Sequence, residues 1–194
     1  MTLANKITIA RILLIPIFIV QVLYFRQTGE PGYRWVALAV FLTASLSDAL
    51  DGWIARRFNQ RSQLGAVLDP LADKLLLVAA LILLSRSGSP HLPALPIWLV
   101  ATVLSRDALL VLGLGVIHFT CGRFVVKPNL TGKAATVLQM AIVLLALADL
   151  WPETRYWVAL VTALVTAVSG LIYIRDGLQQ LSASPHSAPD SSRP

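Results

Sequence analysis

The stretch Asp48-Ala-Leu-Asp51-Gly52-Trp-Ile-Ala55-Arg56, continuing to Gly65, Asp69 and Asp73, sets four carboxylates and an arginine among segments apolar enough to span a bilayer. Charges at membrane depth are expensive and mark a functional site. Asp48, Asp51, Gly52, Ala55 and Arg56 fall at offsets that share one face of a helix. Gly65, Asp69 and Asp73 make a second stripe in steps of four residues. Two helices joined by the polar turn Arg57 to Ser62 bring these stripes face to face and converge the carboxylates. Like charges that close do not all stay ionised without compensation. Hard divalent cations with oxygen ligands supply it, Mg²⁺ being the usual choice where phosphates are handled. Gly52, Ala55 and Gly65 are small enough for a ligand or backbone to come near. Purely structural, hydrogen-bonded carboxylates are the competing reading, and in lipid their burial is costly.

Outward from this stretch, the composition fits a membrane protein. Of 194 residues, 56% are hydrophobic and only 13% charged, far from a soluble balance. The length is that of one domain. A net charge of +6 raises nucleic acid as a partner, but the basic residues stand at the ends of apolar runs. That placement fits membrane topology and anionic headgroups instead. The single cysteine, Cys121, excludes an intrachain disulfide and a cysteine-built metal site.

The expected fold is all-α, with six transmembrane helices around a polar active-site cavity in the cytoplasmic leaflet. Apolar runs are read at about 12–25, 33–56, 63–84, 97–119, 134–150 and 156–174, each near the roughly 20 residues that cross a bilayer. A cleaved signal peptide is disfavoured at the start, since no small-residue cleavage site follows. Asn5, Thr8 and Arg11 repeat at three-residue steps there. Capping, interface anchoring and a nucleotide contact are all open to them. Pro70 should kink its helix. Arg106-Asp107 sits near the middle of the fourth run, either as a buried ion pair or with Arg106 reaching an anionic substrate. Gly113 and Gly115 read as points of close helix packing. A basic loop with Arg123 and Lys127 leads to Gly132-Lys133. Lys133, Thr136 and Gln139 suit either interhelical hydrogen bonds or a ligand. Trp98, Trp151 and Trp157 read as interface-belt aromatics. Residues 1–176 are taken as one six-helix domain, and 177–194, rich in Ser and Pro, as a disordered tail.

Basic residues set the expected orientation. Lys6, Arg11, Arg56, Arg57, Arg61, Arg123, Lys127, Lys133 and Arg175 flank one side, against Arg26, Arg34, Arg86 and Arg155 on the other. The positive-inside rule puts both termini and the aspartates toward the cytoplasm.

The pattern Asp48-x2-Asp51-Gly52-x2-Ala55-Arg56-x8-Gly65-x3-Asp69-x3-Asp73 resembles, position for position, the signature of the CDP-alcohol phosphatidyltransferases. The six-helix plan resembles that family too. The resemblance implies attack by an acceptor hydroxyl on the phosphorus attached to diacylglycerol in CDP-diacylglycerol, with CMP leaving. It implies Asp48, Asp51 and Asp69 as main ligands of two Mg²⁺ or Mn²⁺ ions, with Asp73 completing the cluster and serving as general base. It implies Gly52, Ala55 and Arg56 against the cytidine nucleotide, Gly65 close by, and a homodimer in the membrane. Asn5 and Thr8 join the candidate CDP-lipid contacts.

Two further stretches are similar to the CMP-forming cardiolipin synthases: Asn59 to Lys74, and Ser105-Arg106-Asp107 with Lys127-Pro128 and Gly132-Lys133-x2-Thr136-x2-Gln139. Phosphatidylglycerophosphate synthases share much of this. They typically carry Arg-Glu on helix four and a second arginine eight residues on; here those positions hold Asp107 and Leu114. Glycerol 3-phosphate is a dianion that calls for several cations. Phosphatidylglycerol brings a single phosphodiester charge and two acyl chains. The departure therefore favours phosphatidylglycerol as acceptor, with glycerol 3-phosphate the alternative, and Arg106, Arg123, Lys127, Lys133 and Thr136 as candidate acceptor contacts. The start without a presequence favours a bacterial plasma membrane over a mitochondrial inner membrane. A cation transporter is the alternative of another class. It calls for acids distributed along a path, whereas these cluster on one side beside a nucleotide-type Gly/Ala/Arg face.

Overall fold

The computed structural model describes the backbone of residues 3–58, 63–86, 90–121 and 130–182. Side chains are described for residues 9–47, 74–86, 90–113, 130–177 and 179. The described residues form six helices: α1 (Leu3–Thr28), α2 (Pro31–Phe58), α3 (Gln63–Ser85), α4 (Ile97–Cys121), α5 (Leu130–Ala148) and α6 (Pro152–Ser182).

Local chemistry fixes the breaks. Gly29 takes φ 70° just past α1, and its N–H donates to the Phe25 carbonyl at 2.9 Å. This is the left-handed C-terminal stop that glycine permits. A side chain there would also strike the His91 ring, whose atoms lie 2.6–2.8 Å from the Cβ position. Pro31 and Pro152 open α2 and α6, where a missing N–H costs nothing. Between α5 and α6, Asp149 (φ 51°) and Trp151 (φ 44°) both adopt left-handed backbone. The Asp149 carboxylate accepts from Arg155 Nη2 at 2.7 Å, which helps hold that tight turn.

The helices form two sets, α1 against α2 and α3, and α4 and α5 against α6. They meet where α5 touches α2 and α3, and where α3 touches α4. One core runs through both sets, from Phe18, Phe41 and Leu81 to Val103, Ile142 and Ala159. On α5 the buried positions Gly132, Ala135, Gln139, Ile142, Val143, Ala146 and Leu147 recur in steps of one, three and four, the mark of one helix face. The outer surface is as apolar as the core, with Leu13, Val111, Leu112, Leu164 and Leu171 exposed. Arg11 and Arg106 are instead buried, at 1% and 7% exposure. Apolar outside and cationic inside is the arrangement lipid demands. Among the described residues three helices are long and apolar enough to cross a membrane: Ile9–Thr28, Leu130–Ala148 and Pro152–Gly177.

Some expectations shift. Helix α5 starts at Leu130 rather than near 134, so Gly132 and Lys133 are helical rather than in the basic loop. Helix α6 continues to Ser182, past the point where the polar tail was expected. A Cβ on Gly113 would meet nothing within 4 Å, so this glycine packs against no described neighbour. Gly115 and the tail from 183 onward lie outside the described residues, as does any side-chain detail at Pro70. Arg11 is buried, which removes interface anchoring from its candidate roles.

Candidate functional site

The two motif halves fall on two helices in contact. Asp48, Asp51, Gly52, Ala55 and Arg56 occupy the last part of α2, and Gly65, Asp69 and Asp73 the first part of α3. Only four residues separate the two helices, so both halves lie at the same end of the molecule. The side chains of these residues, and of Asn5, Thr8, Arg123 and Lys127, lie outside the described residues. Among the described residues no three His, Cys, Asp or Glu gather as a metal site. The donor chemistry of the motif still fits Mg²⁺ or Mn²⁺: four hard carboxylates on adjoining helix ends, with no thiolate or imidazole in the set.

Described side chains begin at Lys74, one residue beyond Asp73, and they form a polar network. Lys74 Nζ lies 2.6 Å from Asp107 Oδ1 on α4. Arg106 Nη1 donates to the same oxygen at 2.8 Å. Its Nη2 donates to Ser169 Oγ on α6 at 3.2 Å. The Arg106 guanidinium carbon lies 5.4 Å from the centre of the Tyr173 ring, within cation–π reach. Two glycines make room for it. A Cβ on Gly132 would sit 3.0 Å from Arg106 Nη2 and 3.1 Å from the Tyr173 hydroxyl, and one on Gly170 would sit 3.3 Å from Arg106 Cγ. Arg106 Nε is buried with no hydrogen-bond partner among the described residues.

Gln139 and Thr136 continue the polar region on α5. Gln139 Nε2 donates to Thr166 Oγ1 at 3.1 Å, and Thr136 Oγ1 donates to the Gly132 carbonyl at 3.1 Å. Lys74, Asp107, Thr136 and Gln139 line a cavity of about 40 Å³ with Leu77, Val78 and Val103. That holds about one or two waters, not a lipid headgroup. Lys133 is exposed at the start of α5.

The sequence pointed to Arg106, Asp107, Thr136 and Gln139, and these four side chains do gather at the meeting of α4, α5 and α6. It missed Lys74 as their partner and it missed α6. The signal on α6 was present: Thr162, Thr166, Ser169 and Tyr173 repeat in steps of four, three and four, a polar stripe on an otherwise apolar span. Thr162, Thr166 and Ser169 are fully buried.

The family model for CDP-alcohol phosphatidyltransferases matches residues 1–168. A probable phosphatidylglycerophosphate synthase of Mycobacterium tuberculosis is 32% identical, over 92% of this chain and 83% of its own length. A CDP-diacylglycerol–glycerol-3-phosphate 3-phosphatidyltransferase of Bacillus subtilis is 36% identical, over 94% of this chain and 98% of its own. A CMP-forming cardiolipin synthase of Streptomyces coelicolor is 37% identical, over 77% of this chain and 66% of its own. With every motif position filled on α2 and α3 and the match running from α1 into α6, the chain belongs to the CDP-alcohol phosphatidyltransferase family.

Proposed function

We propose that this enzyme transfers the phosphatidyl group of CDP-diacylglycerol to a hydroxyl of phosphatidylglycerol, giving cardiolipin and CMP. The acceptor oxygen forms the new bond to the phosphorus attached to diacylglycerol, the bond from that phosphorus to CMP breaks, and the hydroxyl proton passes to Asp73. Asp48, Asp51, Asp69 and Asp73 would hold two Mg²⁺ or Mn²⁺ ions, whose charge would offset the diphosphate and the leaving phosphate. Gly52, Ala55, Arg56, Gly65, Asn5 and Thr8 would receive the CDP-lipid. Arg123, Lys127, Lys133, Thr136 and Arg106 are the acceptor-side candidates. The reading extends to six membrane-crossing helices in one domain over residues 1–176, both termini in the cytoplasm of a bacterium, a polar cavity in the inner leaflet, and a homodimer.

The observation that carries the acceptor choice is the sharing of Asp107. Lys74 and Arg106 both face one carboxylate, and Leu114 stands where phosphatidylglycerophosphate synthases typically carry a further arginine, so α3 and α4 offer fewer cations than a dianion calls for. A phosphodiester suits them better. The second reading, glycerol 3-phosphate, is favoured by the Bacillus subtilis relative, which aligns over 98% of its length.

An acceptor panel separates them. Purified protein with CDP-diacylglycerol and Mg²⁺ or Mn²⁺ receives phosphatidylglycerol or glycerol 3-phosphate, and product mass is read. Cardiolipin is the expected product; phosphatidylglycerophosphate alone would move the acceptor to glycerol 3-phosphate.

A further inference from the structure

We propose that Asp107 is a positioning residue: by holding Lys74 it fixes the rotation of α3 about its own axis at the level of Asp73. The inference rests on the reading that the α3 carboxylates take part in the reaction.

Consecutive residues of a helix lie about 100° apart around its axis and move as one body. Lys74 follows Asp73 directly, so whatever fixes Lys74 also fixes the bearing of the Asp69–Asp73 stripe. Nζ of Lys74 is 2.6 Å from Asp107 Oδ1, and Asp107 is itself mostly buried. The other partner of that oxygen is held on several sides. Arg106 is 7% exposed, bonded to Ser169 and seated between Gly132 and Gly170 under Tyr173. The tether therefore runs from α3 through Asp107 to a guanidinium wedged against α5 and α6.

Close packing does not do the same job at this height. A cavity of about 40 Å³ lies between α3, α4 and α5, bordered by both members of the pair. Leu77 lines this cavity, and beyond it Leu81 and Leu84 pack in the shared core. At the level of Lys74 the ion pair joins α3 to α4, and apolar packing takes over from Leu76 and Leu77. Removing the carboxylate also leaves Lys74 and Arg106 as two like charges with nothing between them, which opposes the approach of α3 to α4.

The test uses the full chain in detergent or nanodiscs, with Asp107→Asn, Asp107→Glu and Lys74→Met. Three quantities are read: kcat from CMP release with whichever acceptor the enzyme turns over, the acceptor KM, and Mn²⁺ binding without substrates by the loss of the free-ion electron paramagnetic resonance signal. Asp107→Asn should lower kcat by between about ten- and a hundredfold. Its Mn²⁺ affinity should fall about tenfold, a loss that an acceptor contact alone would not produce. Lys74→Met should move kcat and Mn²⁺ affinity the same way, and Asp107→Glu should recover most of both. A raised acceptor KM with intact kcat and Mn²⁺ affinity would make Asp107 an acceptor contact and overturn the proposal. Wild-type values in Lys74→Met would overturn it too, and that variant decides the matter should Asp107→Asn fail to fold. Asp73→Asn serves as control. Full turnover in that variant removes Asp73 from the base role, whereas the Mn²⁺ titrations of the Asp107 variants still report whether α3 has turned.

Discussion

At Gly132 a single methyl group would land 3.0 Å from Arg106 Nη2 and 3.1 Å from the Tyr173 hydroxyl. The guanidinium has little room to retreat, because it is already bonded to Asp107 and Ser169. Gly132→Ala should therefore cost about 1–3 kcal/mol, the range for overfilling a packed site. It should lower the melting midpoint in detergent and reduce CMP release. Gly113→Ala is the matched comparison, since a Cβ there meets nothing within 4 Å. It should be neutral or stabilise by under about 1 kcal/mol, as alanine replaces glycine inside a helix. Equal losses in both variants would mean that the tight fit at Gly132 has no energetic consequence. From sequence, Gly132 read as part of a ligand motif and Gly113 as a packing glycine. Glycine spacing records that a side chain is missing, not which neighbour fills the gap, and here the filler is an arginine from a helix over twenty residues away.

Helices α3 and α5 both end at carbonyls taken up by arginines of other helices. Arg26 Nη1 donates to the Leu83 carbonyl and Arg34 Nε to the Leu147 carbonyl, each at 2.6 Å. The last carbonyls of a helix lack internal partners and carry the negative end of its dipole, so a cation there satisfies both needs. These bonds tie α1 to α3 and α2 to α5. Arg34→Met should destabilise the fold by about 1.5–3 kcal/mol, as expected for a bond from a charged donor. Arg34→Lys should recover part of the loss, and a thermal melt in detergent reads both. An unchanged midpoint in Arg34→Met would show that water or lipid headgroups replace the arginine without penalty. At this scale the sequence was legible where chemistry is local. Apolar runs broken by Gly29-Glu30-Pro31 and Trp151-Pro152 announced the helices and their order, and the offsets of the aspartates put the motif on two helix faces. Helix ends were less legible. The start of α5 holds Thr131, Gly132 and Lys133, which read as loop by composition but are helical where Arg106 and Tyr173 close over Gly132. The tie from Lys74 to Asp107 was not legible at all, because it joins helices whose mutual approach no spacing rule encodes.

Across the whole molecule, the aspartate motif and a group of tyrosines and tryptophans lie at opposite ends. The aspartate motif and Lys133 lie at one end. Tyr24, Tyr33, Trp35, Trp98, Trp151, Tyr156 and Trp157 all lie toward the other, where Tyr24 stacks on Tyr33 at 5.4 Å and Trp98 meets Tyr156 edge-on at 6.2 Å. Aromatic rings of this kind belong at a membrane–water interface. The aromatic end also carries arginines that count against a simple positive-inside reading. Three of those have structural partners: Arg26 and Arg34 cap helices, and Arg155 pairs with Asp149 at 2.7 Å. Cations held this way are parts of the fold, so the basic residues at the motif end should decide the orientation. Alkaline phosphatase inserted in the loop between Ser85 and Ile97 should accordingly be active outside the cytoplasm, and the same reporter fused after Ser182 should be inactive. A fluorescent protein that matures only in the cytoplasm should give the reverse pair. The opposite pattern would put the aspartates on the outer face, away from cytoplasmic nucleotide. A matching signal at both sites would mean that an odd number of α4, α5 and α6 fails to cross. Either result would break the link between helix ends and leaflets on which an inward-facing site depends.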